Sequence, residues 1–310
     1  MRVVFMGTPE FSVPCLRRLL ADGHDVAGVF TQPDKPKGRG NVLTPPPVKV
    51  TAMEANVPVF QPKSMRDGEA LEILRGIQPE LIVVTAFGRI LPKEILDYPE
   101  YGCINIHASL LPRYRGAAPI QWCVLNGETE SGVTSMQMDV GLDTGDMLLQ
   151  ANVPIGENMT SGELHDLLSD LGAQTMSETL DLLVKGELHP QKQDDSLSNY
   201  APMLTKELCP LDFSLTAREI HNRIRGLNPW PLATIQVGEK TLKVHASVLC
   251  ADAGGAAGQV MESGKRLVVS CGDGKCVELL TVQAQGKKAM PAADYLRGNP
   301  LQIGTILQNG

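Results

Sequence analysis

Apolar residues come in short runs through the first half of the chain. Arg2–Met6, Val26–Thr31, Leu81–Phe87, Cys103–His107 and Val133–Met138 are strand-length and mostly apolar. The stretches between them, including Pro9–Leu20, Pro47–Ala55 and Leu71–Ile77, can carry helices. Alternation of this kind predicts an α/β fold with a parallel-rich sheet and helices on its faces.

Thr160 and Glu163 have the spacing of a capping box, and Leu164, Leu167, Leu168 and Leu171 follow at helical spacing, so a long helix is expected from that point. After Gly186 the polar stretch HPQKQDDSLSNYAPM breaks both periodicities and reads as a linker. Beyond it, an amphipathic segment (Leu215–Arg225) precedes short strand-like runs near Thr234–Val237, Thr241–Val248, Gln259–Met261, Leu267–Ser270 and Val277–Thr281. Successive strands with Gly-rich turns predict a small β-barrel.

A length of 310 residues suits two domains. The longest strongly apolar stretch, Leu81–Phe87, is far too short to cross a bilayer, and the opening MRVVFMGTPEF lacks the apolar core of a secretory signal. A cytoplasmic protein without a membrane partner is expected. The seven cysteines are scattered and contain no CxxC pair, which argues against disulfides and a zinc site. Cys271 and Cys276 read as incidental thiols of a Gly-rich hairpin turn.

Net charge is −7, which alone disfavours a polyanionic partner. Its distribution is uneven. Residues 1–206 hold 17 basic and 26 acidic groups (−9), and residues 207–310 hold 11 and 9 (+2). The second part is better suited to approach nucleic acid.

Candidate chemistry begins with Asn105 and His107. Two residues apart on a strand, they share a face near its carboxyl end, where open α/β sheets bind ligands. Acyl transfer needs a donor for a developing oxyanion and a group that moves a proton, and Asn and His supply these. Asp143 lies between Gly141 and Gly145, in a segment able to turn tightly. A carboxylate near His107 would favour the imidazolium, but Asp139 and Asp146 are equal candidates on composition, and a solvated turn is the plainer alternative.

In PDKPKGRGN, Lys35, Lys37 and Arg39 form either a surface loop or a basic finger for phosphate. Arg218, His221, Arg223 and Arg225 read as a solvated helix face or part of a nucleic-acid surface. Trp230, between Pro229 and Pro231, is expected to anchor the core.

Asn105-x-His107, the following SLLPRYRG and Asp143 in GLDTGD together resemble the signature of the 10-formyltetrahydrofolate-dependent formyltransferases. The opening VVFMGTPEFSVP, the loop PDKPKGRG, SLLPRYRGAAPIQW, MQMDVGLDTGDM, NPWP and GKKAM extend the resemblance along the whole chain, toward members that act on methionyl-initiator tRNA. It implies a Rossmann-like formyltransferase domain (residues 1–188), a linker (189–206) and an OB-like, tRNA-binding β-barrel (207–310). It also implies 10-formyltetrahydrofolate as formyl donor, methionyl-initiator tRNA as acceptor, no metal, and a monomer.

By the same resemblance, Asn105 and His107 stabilise the oxyanion, while Asp143 orients His107 and helps relay a proton. Ser109, Leu110, Leu111 and Pro112 match the folate-binding segment. Arg39 matches a basic loop that enters the acceptor arm, with Lys35 and Lys37 beside it. In APMLTKELCPLDF the basic residue left for tRNA is Lys206, because Met203 and Cys209-Pro210-Leu211 stand where relatives tend to carry more Lys and Arg.

Three other readings compete. A formyltransferase with a small-molecule acceptor shares the Asn, His and Asp chemistry, but needs neither basic finger nor barrel. A nicotinamide-dependent oxidoreductase would need GxGxxG after the first strand, where GTPEF stands. A noncatalytic RNA-binding module would need more charge and a set of stacking aromatics in residues 207–310.

Overall fold

A computed structural model describes residues 1–37 and 40–309, with Lys37, Gln308 and Asn309 described by backbone alone. Strands β1 (Arg2–Gly7) and β2 (Asp25–Phe30) lead into a separate hairpin of β3 (Lys35–Lys37) and β4 (Val42–Thr44). Then come β5 (Val59–Phe60), β6 (Leu81–Thr85), β7 (Cys103–His107), the short β8 (Arg115–Gly116), β9 (Glu130–Gln137) and β10 (Met147–Pro154). The main sheet has the order β10-β9-β7-β6-β1-β2-β5. Pairing from β5 through β7 is parallel, and β7 pairs antiparallel with β9. The expected parallel-rich sheet is therefore present.

β6 is buried at all five positions, which explains why LIVVT is apolar with almost no alternation: parallel strands are covered on both faces. The covering elements include α1 (Val13–Ala21), α2 (Pro47–Glu54), α3 (Glu69–Ile77) and α4 (Lys93–Leu96). The expected helix from Pro9 begins as a 3-10 turn and becomes α-helical at Val13. Pro14 suits that first turn, where its missing N–H has no partner to lose.

After α5 (Pro119–Leu125), the long helix α6 runs Ser161–Lys185. Its capping box is complete: Glu163 Oε2 accepts from the Thr160 main-chain N–H (2.8 Å), and Thr160 Oγ1 accepts from the Glu163 N–H (3.2 Å). The buried line differs from the expected Leu stripe. Leu164, Leu168, Met176 and Leu180 face inward at every fourth or eighth position, while Leu167 is exposed. Gly172 fills the gap in that line, because a Cβ there would press on Ile106 Cγ2 at 3.2 Å.

The chain divides into two units. Residues 1–116, 132–153 and 165–200 form the first, and residues 117–131, 154–164 and 201–310 the second. The stretch expected as a linker thus contributes residues up to Tyr200 to the first unit and from Ala201 to the second. A short ribbon pairs β8 with β11 (Tyr200–Ala201).

In the second unit, α7 (Ala217–Gly226) has its own capping box, Thr216 with Glu219. The strands are β12 (Ala233–Val237), β13 (Lys240–Cys250), β14 (Val260–Ser263), β15 (Leu267–Ser270), β16 (Cys276–Ala284), β17 (Met290–Pro291) and, after α8 (Ala292–Gly298), β18 (Gln308–Asn309). Their pairings are antiparallel, in the order β14-β15-β16-β13-β12-β18. Register shifts in β13 between Val244 and Ser247 add twist and help to curl the sheet into a half-barrel. Ile220, Ile224 and Leu227 of α7 and the residue after it join a core with Ile235, Leu242, Val244, Leu267, Val269 and Val277.

Two expectations fail here. Trp230 is 57% exposed and anchors no core. Leu227 and Leu232 enter the core instead, and a hydrogen bond from the Leu232 N–H to the Leu227 carbonyl (2.9 Å) leaves residues 228–231 looped outward. His221 and Arg225 are also not surface groups. His221 Nε2 donates to the Glu157 carbonyl (3.0 Å), and its Nδ1 lies 2.9 Å from Ser247 Oγ. Arg225 reaches the carbonyls of Gly156 (3.2 Å) and Met159 (3.1 Å), so both residues tie residues 156–159 to α7. Arg218 is exposed and paired with Glu157.

Burial, reinforced by the charges of Arg225 and Arg218, holds the His221 imidazole below its ordinary value of 6.5. The folded state therefore favours the neutral ring. Its stabilisation is complete above the ordinary value and is lost as pH falls below it. Urea midpoints measured between about pH 7.5 and 5.5 should fall for the native chain and fall less steeply for His221→Gln. Comparison with the variant separates His221 from His24, which burial also lowers. Parallel slopes would remove His221 as the source.

Candidate active site

The order of connections reverses between β1 and β6: the chain proceeds from β1 to β2 and β5 on one side, and then to β6 and β7 on the other. A crevice is expected outside the carboxyl ends of the strands at such a point. β7 ends there with Asn105 and His107. Ile104 and Ile106 are buried, and Asn105 and His107 share the alternate face, held in register opposite Met136 and Thr134 of β9. The Asn105 amide makes no side-chain hydrogen bond among the described residues.

His107 is only 6% exposed. Its Nε2 lies 2.9 Å from the Tyr114 carbonyl oxygen. A carbonyl only accepts, so Nε2 carries a proton and Nδ1 is the nitrogen left for exchange. Asp143 Oδ1 stands 3.7 Å from that Nδ1. This is ion-pair range and too long for a direct hydrogen bond. The other carboxylate oxygen accepts from the Gly116 main-chain N–H at 2.8 Å.

Geometry separates the three carboxylates that composition left open. Asp139 Oδ1 accepts from the Gly141 N–H (3.0 Å) and Thr144 Oγ1 (2.7 Å), which shapes the loop. Asp146 gives its carbonyl to the Gln137 N–H (2.9 Å), closing the loop's base. Asp143 alone of the three has a described contact with His107, and it does so from a left-handed backbone (φ +54°), which Asp tolerates better than most residues.

The segment after His107 is tied down at several points. Ser109 is fully buried, and its hydroxyl donates to the Arg113 carbonyl (2.7 Å). Thr134 Oγ1 donates to the Ser109 carbonyl (2.7 Å) and accepts from the Leu111 N–H (3.1 Å). Gln150 Nε2 reaches the Leu111 carbonyl (2.9 Å). Leu111 is buried, whereas Leu110 and Pro112 are half-buried. Ser109 thus shapes this segment, and Leu110 and Pro112 are its more accessible side chains.

The expected basic residues stand apart from this constellation. Lys35 is exposed at the start of β3, and its Nζ donates to Gln32 Oε1 (2.9 Å). Lys37 ends β3 opposite Val42, in a hairpin where no ordered pairing was expected. Arg39 lies outside the described residues. Lys206 is exposed in a 3-10 turn.

Residues 1–180 match the family described as formyl transferase, and residues 203–300 match the formyl transferase C-terminal domain. The chain belongs to the formyl transferase family. This formyl transferase is 54% identical to the methionyl-tRNA formyltransferase of Citrifermentans bemidjiense, over 99% of this chain and 96% of that one. It is 52% identical to the protein of the same description from Moorella thermoacetica, over 99% of both chains. Among solved structures it is similar in fold to a Helicobacter canadensis N-formyltransferase in complex with folinic acid and dTDP-3-aminofucose (TM-score 0.72, 22% identity, 92% of this chain and 99% of that one). A second is the methionyl-tRNA formyltransferase from Clostridium thermocellum (TM-score 0.55, 18% identity, 80% and 93% coverage).

Residue patterns missed several groups that shape the site. The Tyr114 carbonyl and the Gly116 N–H are main-chain groups, which residue identity does not reveal. Gln193 and Asn199 come from the polar stretch read as a linker. Gln193 Nε2 lies 2.8 Å from the carbonyls of both Asp143 and Gly145, and Asn199 Oδ1 accepts from the Tyr114 N–H. Only their position in the fold distinguishes them from ordinary solvated amides.

Gly145 is required for a close approach, because a Cβ there would lie 1.7 Å from the Gln137 carbonyl oxygen. Gly145→Ala must therefore displace the loop that carries Asp143. We expect a stability loss of about 1–3 kcal/mol in urea denaturation, together with reduced formyl transfer by the folded fraction. A variant with an unchanged urea midpoint and full activity would show that the loop accommodates the methyl group.

Proposed function

We propose that this chain transfers the formyl group of 10-formyltetrahydrofolate to the amino group of methionyl-initiator tRNA. The observation carrying the proposal is the His107–Asp143 pair beside the uncommitted Asn105 amide, in a chain 54% identical along nearly its whole length to a methionyl-tRNA formyltransferase. The donor set suits a formyl carbonyl, since one amide is free to donate and one imidazole nitrogen is free to exchange a proton. As co-substrate, 10-formyltetrahydrofolate supplies the one-carbon group.

Attack by the methionyl amine on the formyl carbon drives negative charge onto the formyl oxygen. The Asn105 amide donates to that oxygen. His107 is fixed through Nε2 on Tyr114, so Nδ1 is the atom that takes up and returns the proton on its way from the amine to N10 of the folate. Asp143 provides the opposing charge, and its 3.7 Å separation leaves room for adjustment when substrates bind. The Ser109–Pro112 segment supports the folate, with Leu110 and Pro112 best exposed to do so.

All three proposed catalytic groups lie within residues 1–188, our catalytic domain. Residues 207–310 form the less acidic tRNA-binding part, and 189–206 connect the two. Lys35, Lys37, Arg39 and Lys206 are the proposed tRNA contacts. No helix among the described residues is long and apolar enough to cross a membrane. We place the enzyme in the cytoplasm as a monomer, which sedimentation of the free chain checks.

Radiolabelled formyl transfer to methionyl-initiator tRNA, with elongator methionyl-tRNA as control, tests the function directly. Asn105→Ala and His107→Ala should each lower turnover by about a hundredfold or more while folate binding survives. Asp143→Asn should lower turnover and alter its pH profile, and Asp146→Asn should do neither to the same degree. A more damaging Asp146 variant would overturn the choice of carboxylate.

The acidic balance of residues 1–206 makes local basic contacts decisive for a polyanion. Arg39→Leu should raise the KM for methionyl-initiator tRNA and leave folate affinity unchanged. Unchanged tRNA kinetics would leave the loop without a part in recognition.

A further inference from the structure

The segment from Gln191 to Asn199 shows no regular periodicity, yet it touches both sides of the His107–Asp143 pair. Gln193 stands against two carbonyl oxygens, Asp143 O and Gly145 O, each at 2.8 Å. Carbonyls only accept, so the amide nitrogen must face them. The amide oxygen accepts from Arg115 Nε (3.0 Å) and Nη2 (2.8 Å), which completes the four hydrogen bonds available to the group. Arg115 is itself held by Asp195 at 2.7 Å.

Asn199 acts on the other member of the pair. Its Oδ1 accepts from the Tyr114 N–H, and Tyr114 holds His107 Nε2 through its carbonyl. Tyr114 has φ +60°, a left-handed conformation that a bulky residue rarely adopts unless its surroundings impose it. Main-chain bonds fasten the segment at both ends: Gln191 exchanges two with Met147 (2.8 Å each), and the Asn199 carbonyl accepts from the Arg115 N–H (3.0 Å).

We propose that Gln193 and Asn199 are positioning residues for formyl transfer, Gln193 setting the Asp143 loop and Asn199 setting His107 through Tyr114. The proposal rests on the roles given above to His107 and Asp143. Asp143 sits between two glycines in a left-handed conformation, so its own loop leaves it able to drift, and a displacement of about 1 Å can lower a rate about a hundredfold. One short segment holding both partners fixes their separation.

The chemistry required differs at the two positions. Position 193 needs a donor toward two carbonyls. Gln193→Glu keeps the length and the Arg115 partner but turns a carboxylate onto those oxygens. Position 199 needs only an acceptor, which Asn199→Asp retains and Asn199→Leu removes.

Full-length variants are assayed for kcat and KM over about pH 6 to 9, alongside thermal melts. Gln193→Glu and Asn199→Leu should lower kcat about 10- to 100-fold, with KM for both substrates within about twofold. Gln193→Glu should change the pH profile in the same sense as Asp143→Asn and add little to the loss in an Asp143→Asn background. Asn199→Asp should recover most of the activity that Asn199→Leu loses. If Gln193→Glu fails to fold, Arg115→Lys, which removes the fork holding the Gln193 amide, is tested in its place.

Native kcat and pH profile in Gln193→Glu, or equal losses in Asn199→Asp and Asn199→Leu, would overturn the proposal while His107→Ala and Asp143→Asn remain impaired. If those two variants retain full turnover, the site assignment itself is wrong and the positioning roles fall with it.

Discussion

The hydrogen bond between His107 Nε2 and the Tyr114 carbonyl determines what the rest of the site can do. An imidazole has two nitrogens, and a main-chain acceptor at 2.9 Å commits one of them. The other must then serve both the carboxylate and the substrate. This makes the placement of Asp143 critical, and it explains why the loop from Asp139 to Asp146 is closed at its base, shaped internally by Asp139 and held from outside. The buried parallel strand beneath contributes rigidity: β7 is paired on both sides, so His107 leaves a well-fixed backbone.

Much of this was legible in the amino-acid pattern because the relevant signals are local. Strand β7 has the expected limits, and Leu267–Ser270 likewise. The Thr160/Glu163 cap is present because a capping box needs only residues three apart. Asn105 and His107 share a face because a strand has a period of two. The glycines around Asp143 also had the meaning assigned to them, as the close approach at Gly145 shows.

What was not legible depends on partners distant in sequence. Trp230 was expected to be buried because large aromatics usually are, but Leu227 and Leu232 already enter the core on either side of it. His221 and Arg225 looked like charges on a helix face, yet carbonyls about 65 residues earlier receive them, and no periodicity contains that information. The polar stretch after Gly186 lacks a helical or strand pattern because it forms neither. Its order comes from individual side chains bonded to the site.

The ribbon of β8 with β11 bears on how such a chain can be divided. Secondary structure suggests a natural end to the catalytic part after α6, near Gly186. The hydrogen bonds place it later, since the last residue of the first unit is Tyr200 and the pairing at Arg115 and Ala117 runs through Asn199 and Ala201. A catalytic module transplanted onto another acceptor-binding domain would therefore have to carry about a dozen residues of apparent spacer with it. In this architecture the join between modules belongs to the active site, and exchange of the second domain is constrained by the geometry of the first.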